Sequence, residues 1–324
     1  MIATSLAAHA PAGRRIRYII LLDGEIDAVA ERLASFDHGG VSVEVRPTEN
    51  PLARFPLLNG LPPAALLRLM LPELLPEFER VLYIDGDVLV RDDISLLFDM
   101  DIGDSLVAMA RDLPVLLMKH WGVFEAGRFR GTMQDYFSDI LGLDPSEGPQ
   151  AYANSGVILM KLDGLRGFGL VQKAEDMLER LRTELIYGDQ CVINAILAGR
   201  ICMLDMRWNL MAACFSYAYA RRADAASRTR CAQAARTPGI IHFTGSRKPW
   251  LLPREETILA PRFAGQWWTY ARHAPEGLAL RQGYVRQRWW LPKRAPTPVP
   301  APRFLGEAHA IGRRLEALGL ARSF

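Results

Sequence analysis

The sequence predicts an α/β fold, a layered sheet with helices on its faces. Three observations carry this. Short apolar runs alternate with helix-like segments from Arg17 to Phe243, the order that packs helices against a sheet. The chain has 324 residues, 50% of them hydrophobic, enough for one large domain or two small ones. One run, Val81-Leu-Tyr-Ile-Asp-Gly-Asp-Val-Leu-Val90, carries two carboxylates inside an apolar stretch.

Taken in order, Met1 to Pro11 is small-residue and weakly helical. Arg17 to Leu22 reads as a strand, and Asp27 can cap a helix running to about Phe36. Val41 to Val45 alternates and reads as a second strand. Pro63 opens a helix that carries Arg68 and ends near Pro72 and Pro76. The Val81 strand follows, then a helix-like turn through Leu96-Leu97-Phe98 and a strand over Ser105 to Ala110. Leu113 to Pro149 has no clear period and reads as loop and lid.

Beyond it, Tyr152 to Leu162 is strand-like and Leu170 to Leu185 helical. Gln190 to Leu197 forms another helix, with Asp189 near its start. Ile201 to Leu204 and Gly239 to Phe243 are short strands. No repeat of about 20–50 residues is present. The pattern divides the chain into a core domain over residues 1–275 and a tail over residues 276–324. In the tail, Arg281 to Arg294 carries Trp289, Trp290 and Lys293. Pro292 to Pro302 is a Pro-rich linker, and Ala308 to Leu320 can form a short amphipathic helix.

The net charge of +3 and pI near 8.7 are mildly basic and point to no nucleic-acid partner. The cysteines Cys191, Cys202, Cys214 and Cys231 form no Cys-x-x-Cys pair, which favours a reduced, cytoplasmic setting. No apolar run reaches the ~18 residues of a membrane span. Any membrane contact is then peripheral, and the basic, Trp-bearing tail fits the anionic inner face of a cell membrane.

Buried carboxylates are costly unless paired, hydrogen-bonded or on a metal. Asp85 and Asp87, at i and i+2 on an extended chain, point to one side. Gly86 between them lets a phosphate or sugar come close. That reads as a divalent-cation site for Mn²⁺ or Mg²⁺; Asp-Gly is equally a common turn pair. Three further motifs are Tyr152-Ala-Asn-Ser-Gly156, Tyr187-Gly-Asp-Gln190 and Ile241-His-Phe-Thr-Gly-Ser-Arg-Lys-Pro-Trp250. The last offers an imidazole ligand, a glycine loop for phosphate and a lysine point charge.

With Arg68 and Asp85-Gly-Asp87, these motifs in this order resemble glycosyltransferase family 8, over about residues 3 to 250. That family includes bacterial lipopolysaccharide α-galactosyl- and α-glucosyltransferases and is related to glycogenin. The resemblance implies a GT-A fold, a Rossmann-like mixed sheet that binds a nucleotide sugar, followed here by a mainly helical or irregular tail. It implies retaining hexose transfer from a UDP-sugar, Mn²⁺ as cofactor, and a glycan acceptor such as lipopolysaccharide core. Carried over by position, Asp85, Asp87 and His242 are metal ligands. Arg68, Gly86, Asn154, Gly245 and Lys248 are donor contacts. Asp189 and Gln190 lie at the reacting carbon, and Tyr187 and Thr244 on the acceptor side.

The family also opens with a strand ending in an Asp-Asp-x-Tyr-like motif that holds uracil and ribose. Here Met1-Ile-Ala-Thr-Ser-Leu6 resembles the helix after that strand. One strand is then lacking, through a misplaced start or a truncation, and the product would be an impaired sugar-nucleotide binder. A haloacid-dehalogenase-like phosphatase also places hydrophobic-Asp-x-Asp after a strand. That scheme leaves His242 to Trp250 without a role.

Overall fold

The computed structural model describes residues 1–58, 61–116, 122–144, 151–181, 183–215, 221–245, 248–250, 261–274 and 303–304. Helix α1 (Ile2–His9) leads into β1 (Ile16–Asp23), α2 (Ala28–Ala34), β2 (Asp37–His38) and β3 (Val41–Thr48). Then come α3 (Leu67–Leu74), β4 (Arg80–Ile84), β5 (Val88–Val90), α4 (Ser95–Phe98), β6 (Val107–Arg111), α5 (Leu113–Leu116), β7 (Phe124–Ala126), β8 (Phe129–Gly131) and α6 (Met133–Asp135). The next are β9 (Ala153–Lys161), α7 (Leu162–Phe168), α8 (Leu170–Leu181), α9 (Asp189–Ile196), β10 (Ile201–Leu204) and β11 (Leu210–Met211). The last are α10 (Ala225–Ala234), β12 (Ile240–His242), α11 (Pro261–Ala271) and β13 (Arg303–Phe304).

The central sheet has the order β10-β6-β9-β4, with β9 antiparallel to both β6 and β4. It is apolar on both faces, as a sheet covered on both sides must be. On β9, Ile158 and Met160 enter one core with α3, α7, α8 and α9, while Val157 and Leu159 enter the other with α1, β5 and α11. The period of two on β9 therefore divides the molecule into two cores.

Three sequence expectations change. The Val81–Val90 stretch is two strands: β4 lies in the central sheet, and β5 crosses to a second sheet of order β11-β12-β5. Asp85, Gly86 and Asp87 form the turn between them, so both the turn and the strand-end readings hold in part. Residues 113–144 are more than loop. Phe124, Phe129, Tyr136 and Phe137 pack as an aromatic cluster on β7, β8 and a π-turn, which irregular aromatic spacing concealed. Helix α8 stops at Leu181, four residues short of the expected end. The tail's tryptophans and its expected helix lie outside the described residues, as does the boundary at residues 275 and 276. No helix among the described residues is long and apolar enough to cross a membrane.

Strands β1 and β4 face each other across a gap. β1 ends a sheet of order β1-β3-β2, and β4 ends the central sheet. Between their free edges lies a cavity of about 460 Å³, lined by Ile16 to Leu21 on one side and Arg80 to Ile84 on the other. Leu67 and Leu71 of α3 border it, as do Leu6, Ile94 and Phe98. The Arg17 guanidinium lies 5.4 Å from the Phe78 ring centroid, just ahead of β4, so the two strands begin near each other. The other end reaches Arg68 and Gly86. Unpaired strand edges leave N–H and C=O groups to water. Native-state hydrogen exchange should therefore show the gap-facing amides of β1 and β4 exchanging orders of magnitude faster than those of β9. Equal protection would mean that both edges are covered in solution.

Candidate metal centre and its surroundings

Strand pairing assembles the site. β12 runs antiparallel to β5 with His242 opposite Val88, and the Phe243 N–H donates to the Asp87 carbonyl at 3.0 Å. This register sets a histidine far along the chain beside the aspartates. Its Nε2 lies 3.1 Å from Asp87 Oδ1 and 3.5 Å from Asp85 Oδ2. One ligand atom each from Asp85, Asp87 and His242 falls within 4.8 Å of the others. The opposite ring nitrogen, Nδ1, is 2.9 Å from Asn209 Oδ1, an orienting contact of the kind that fixes metal-ligating imidazoles. Asn209 just precedes β11, which pairs parallel to β12.

β9 closes the site from the other side. The Asp85 N–H donates to the Gly156 carbonyl at 2.8 Å. A Cβ at residue 156 would collide with the His242 imidazole and come within 2.9 Å of Asp85 Oδ2. Only glycine leaves room for the cluster there.

Arg68 links this cluster to a second group of polar residues. It is buried, with Nη2 2.9 Å from Asp85 Oδ1 and Nε 3.1 Å from Asp189 Oδ2. Its Nη1 donates to the Ser155 carbonyl at 2.7 Å and hydroxyl at 2.9 Å. Burial opposes the Arg68 charge, but Asp189 and Asp85 more than offset it and keep the guanidinium protonated. Asp189 and Gln190 open α9, behind Gly188 with φ +50°. Asn194, one turn on, holds that helix to β9 through the Ala153 N–H (2.7 Å) and carbonyl (2.8 Å).

Gln190 Oε1 accepts from Asn154 Nδ2 (3.0 Å) and the Ser155 N–H (3.1 Å). Asp112 Oδ2 accepts from both Asn154 Nδ2 (3.0 Å) and Gln190 Nε2 (3.1 Å). Burial pushes the Asp112 and Asp189 carboxyls up from their ordinary range. Asn154 Oδ1 accepts from Asn209 Nδ2 at 2.8 Å, which joins this network to the metal cluster.

Lys248 Nζ donates to Asp87 Oδ2 and to the Phe243 carbonyl at 2.6 Å. Gly245 lies in the same loop with φ +82°. The Thr244 hydroxyl is buried without a hydrogen-bond partner among the described residues. The Tyr187 ring stacks 6.2 Å from that of Tyr152. Gly86 sits in the open turn, with no atom within 4 Å of where its Cβ would be. The structure thus brings all three predicted metal ligands together, with Arg68, Asn154, Asp189, Gln190 and Lys248 around them. Sequence reasoning missed Asp112, Gly156, Asn194 and Asn209. Asp112 follows an apolar strand, as Asp85 does, and that was the one available signal.

The residues present fit a divalent cation. Asp87 Oδ1 is buried yet has no hydrogen-bond partner among the described residues, although it points at His242. Two carboxylates and an imidazole are also a donor set for Mn²⁺ or Mg²⁺. Burial would raise Asp87, but His242 and Lys248 hold its carboxyl well below the usual range. Burial would lower His242, but Asp87 and Asp85 push it up. A proton on the imidazole would compete with a cation, which needs that nitrogen free. Mn²⁺ affinity, measured by calorimetry, should rise with pH through the raised His242 pKa and fall below it. Gly156→Ala, which alters no ligand, should weaken Mn²⁺ binding by roughly 10–100-fold, the effect of displacing a ligand's support. Unchanged affinity in that variant would remove the cluster from consideration.

Residues 26–252 match the family described as Glycosyl transferase family 8. Among curated relatives, Glycosyltransferase GlyB of Streptococcus pneumoniae serotype 4 is 26% identical over 244 residues, covering 75% of this chain and 51% of GlyB. The Lipopolysaccharide 1,2-glucosyltransferase of Escherichia coli K12 is 26% identical over 175 residues, 53% of this chain and 44% of that protein. The chain spans about half the length of the curated relatives it matches. Among solved structures, galactosyltransferase LgtC in complex with donor and acceptor sugar analogues superposes with a TM-score of 0.63 and 26% identity, covering 82% of this chain and 88% of that one. The bifunctional glycosyltransferase WbbM superposes at 0.67 with 17% identity and shares the fold.

Proposed function

The chain belongs to glycosyl transferase family 8 and has the GT-A fold, and from that premise we propose that it moves a hexose from a UDP-sugar to a glycan acceptor, with retention at the anomeric carbon. The observation that carries this is the Asp85–Asp87–His242 cluster, within reach of Lys248 on one side and of the Arg68–Asp189–Gln190–Asn154 network on the other. Asp85, Asp87 and His242 would hold Mn²⁺ or Mg²⁺, which when bound supplies Lewis-acid charge at the diphosphate. Lys248, now on Asp87, supplies a second positive charge for the leaving group. Gly86 and Gly245 leave backbone room for it. Arg68 fixes Asp85 and Asp189 relative to each other, so metal and hexose sites share one brace.

On this reading Asn154 and Asp189 hydrogen-bond the hexose. Gln190 lies beside the reacting carbon, and its amide is held at both ends, Nε2 by Asp112 and Oε1 by Asn154 and Ser155. An amide so engaged is a poor nucleophile. Asp189 Oδ2 is likewise occupied by Arg68 and by the Ser155 hydroxyl at 3.0 Å. Both facts favour departure and attack on one face, with the acceptor proton passing to the leaving diphosphate oxygen. Tyr187 and Thr244 border the acceptor side. A lipopolysaccharide sugar is the acceptor we favour, since the Escherichia coli relative is named for lipopolysaccharide. The cytoplasmic face of a membrane, touched through the basic tail, is where it would be met.

The phosphatase reading needs Asp85 as a free nucleophile. Instead its Oδ1 takes the Tyr83 hydroxyl at 2.7 Å and Arg68. A mass-spectrometric screen of UDP-hexoses with Mn²⁺ should show one donor consumed and its hexose transferred or hydrolysed. Mn²⁺ binding without turnover of any UDP-hexose would overturn the transferase.

A further inference from the structure

A second cavity, of about 400 Å³, lies at the β10 edge of the central sheet, between β6, β10 and α10. Arg111, Arg207 and Arg230 line it, with Gln233 and Thr237 among the other polar groups. Arg207 is already committed. It pairs with Asp92, donates to the Thr237 carbonyl at 3.0 Å and stacks over Trp208. Arg111 and Arg230 have no hydrogen bond or acidic partner among the described residues. The carboxylate in the wall, Asp205, accepts the Arg207 N–H at 2.8 Å as a local cap.

The two free guanidiniums are held on rigid elements. Arg111 ends β6 where the β6–β9 register shifts, opposite Ala153. Arg230 sits on α10, which is capped by Asp224 through the Ser227 N–H at 2.7 Å and buries Cys231 and Ala234. Burial, and then the nearby Arg230, lower the Arg111 pKa from its usual range. Two guanidiniums without an acidic partner among the described residues, with the Asp205 carboxylate elsewhere in the wall, are a ready site for an oxyanion, which a pair of guanidiniums can grip through parallel hydrogen bonds.

The position says which oxyanion. Arg111 and Leu113 line this cavity, while Asp112 between them turns the other way to Asn154 and Gln190. The end of β6 therefore lies between this cavity and the Asn154–Gln190 pair, whereas the donor diphosphate is assigned to Lys248 and the metal cluster. We propose that Arg111 and Arg230 form an oxyanion site that takes a phosphate carried by the acceptor sugar. The acceptor half of this statement rests on the transferase reading; the anion site does not.

The test is calorimetry on the full chain in EDTA, which removes metal-held phosphate, with glucose 6-phosphate, inorganic phosphate and glucose as probes. Glucose 6-phosphate should bind saturably and glucose should not. Arg111→Gln with Arg230→Gln should weaken binding by about tenfold or more, the loss of a charge-assisted contact. Arg111→Lys with Arg230→Lys, which keeps the charge, should bind in between. Lys248→Gln should bind the sugar phosphate as the wild type does, separating this site from the donor site. The thermal midpoint of the Gln pair, read by circular dichroism at low salt, should equal or exceed that of the wild type, because a repulsion is removed. Wild-type affinity in a folded Gln pair, or no binding of glucose 6-phosphate by the wild type, overturns the site. Inorganic phosphate binding as tightly as glucose 6-phosphate overturns the acceptor assignment. A donor screen that fails leaves all these readouts standing.

Discussion

The pairing of His242 opposite Val88 is what the rest of the site depends on. Buried carboxylates repel each other and lose hydration, so a fold keeps them together only by supplying positive charge. Here Asp85, Asp87 and Asp189 face two permanent cations, Arg68 and Lys248. Asp87 and Asp85 push the His242 pKa up. A divalent cation held by Asp85, Asp87 and His242 would serve the same electrostatic need. The same short ladder that carries His242 also carries Lys248, through the Phe243 carbonyl. Strand register and metal chemistry are therefore one constraint.

Around this centre the sheet supplies rigidity and the loops supply reach. Asn154, Ser155 and Gly156 lie on a nine-residue strand buried along almost all its length. That strand faces the metal cluster through Gly156 and α9 through Asn194. Gln190 and Asn154 are held by three shared hydrogen bonds to one another and to Asp112. An amide network with its members satisfied holds its geometry without strain. Among the described residues the Thr244 hydroxyl and Asp87 Oδ1 are left without hydrogen bonds, and both lie by the loop that follows β12.

On the opposite side of β4 no described strand pairs with its edge. The edges of β1 and β4 border one cavity, and both strands are only partly buried. The cavity reaches the turn that carries Gly86, so the metal site has a firm wall at β9 and an open one toward β1. The arginine-lined cavity lies at the far edge of the same sheet. Both cavities carry arginines, but those beside β4 include Arg14, Arg17 and Arg68, which pair with Asp99, Glu44 and Asp85, whereas Arg111 and Arg230 have no acidic partner among the described residues.

The alternation of strands and helices, the Asp85-Gly-Asp87 turn and the His242–Lys248 loop were legible by themselves, because apolar period and residue chemistry are local properties. The three metal ligands were named together only through the family resemblance, since an Asp-Gly pair and a strand-end histidine each have commoner uses. Asp112, Asn194 and Asn209 were not legible, since a polar residue after a strand or inside a helix is ordinarily a cap or a solvated group. Their roles arise from partners dozens of residues away, as with Asn209 and His242. Gly156 looked like one more motif glycine until the ring of His242 was found against it. Local order was thus written in the sequence, while which charges meet was decided by tertiary pairing, because Coulomb and hydrogen-bond partners are chosen by distance in space.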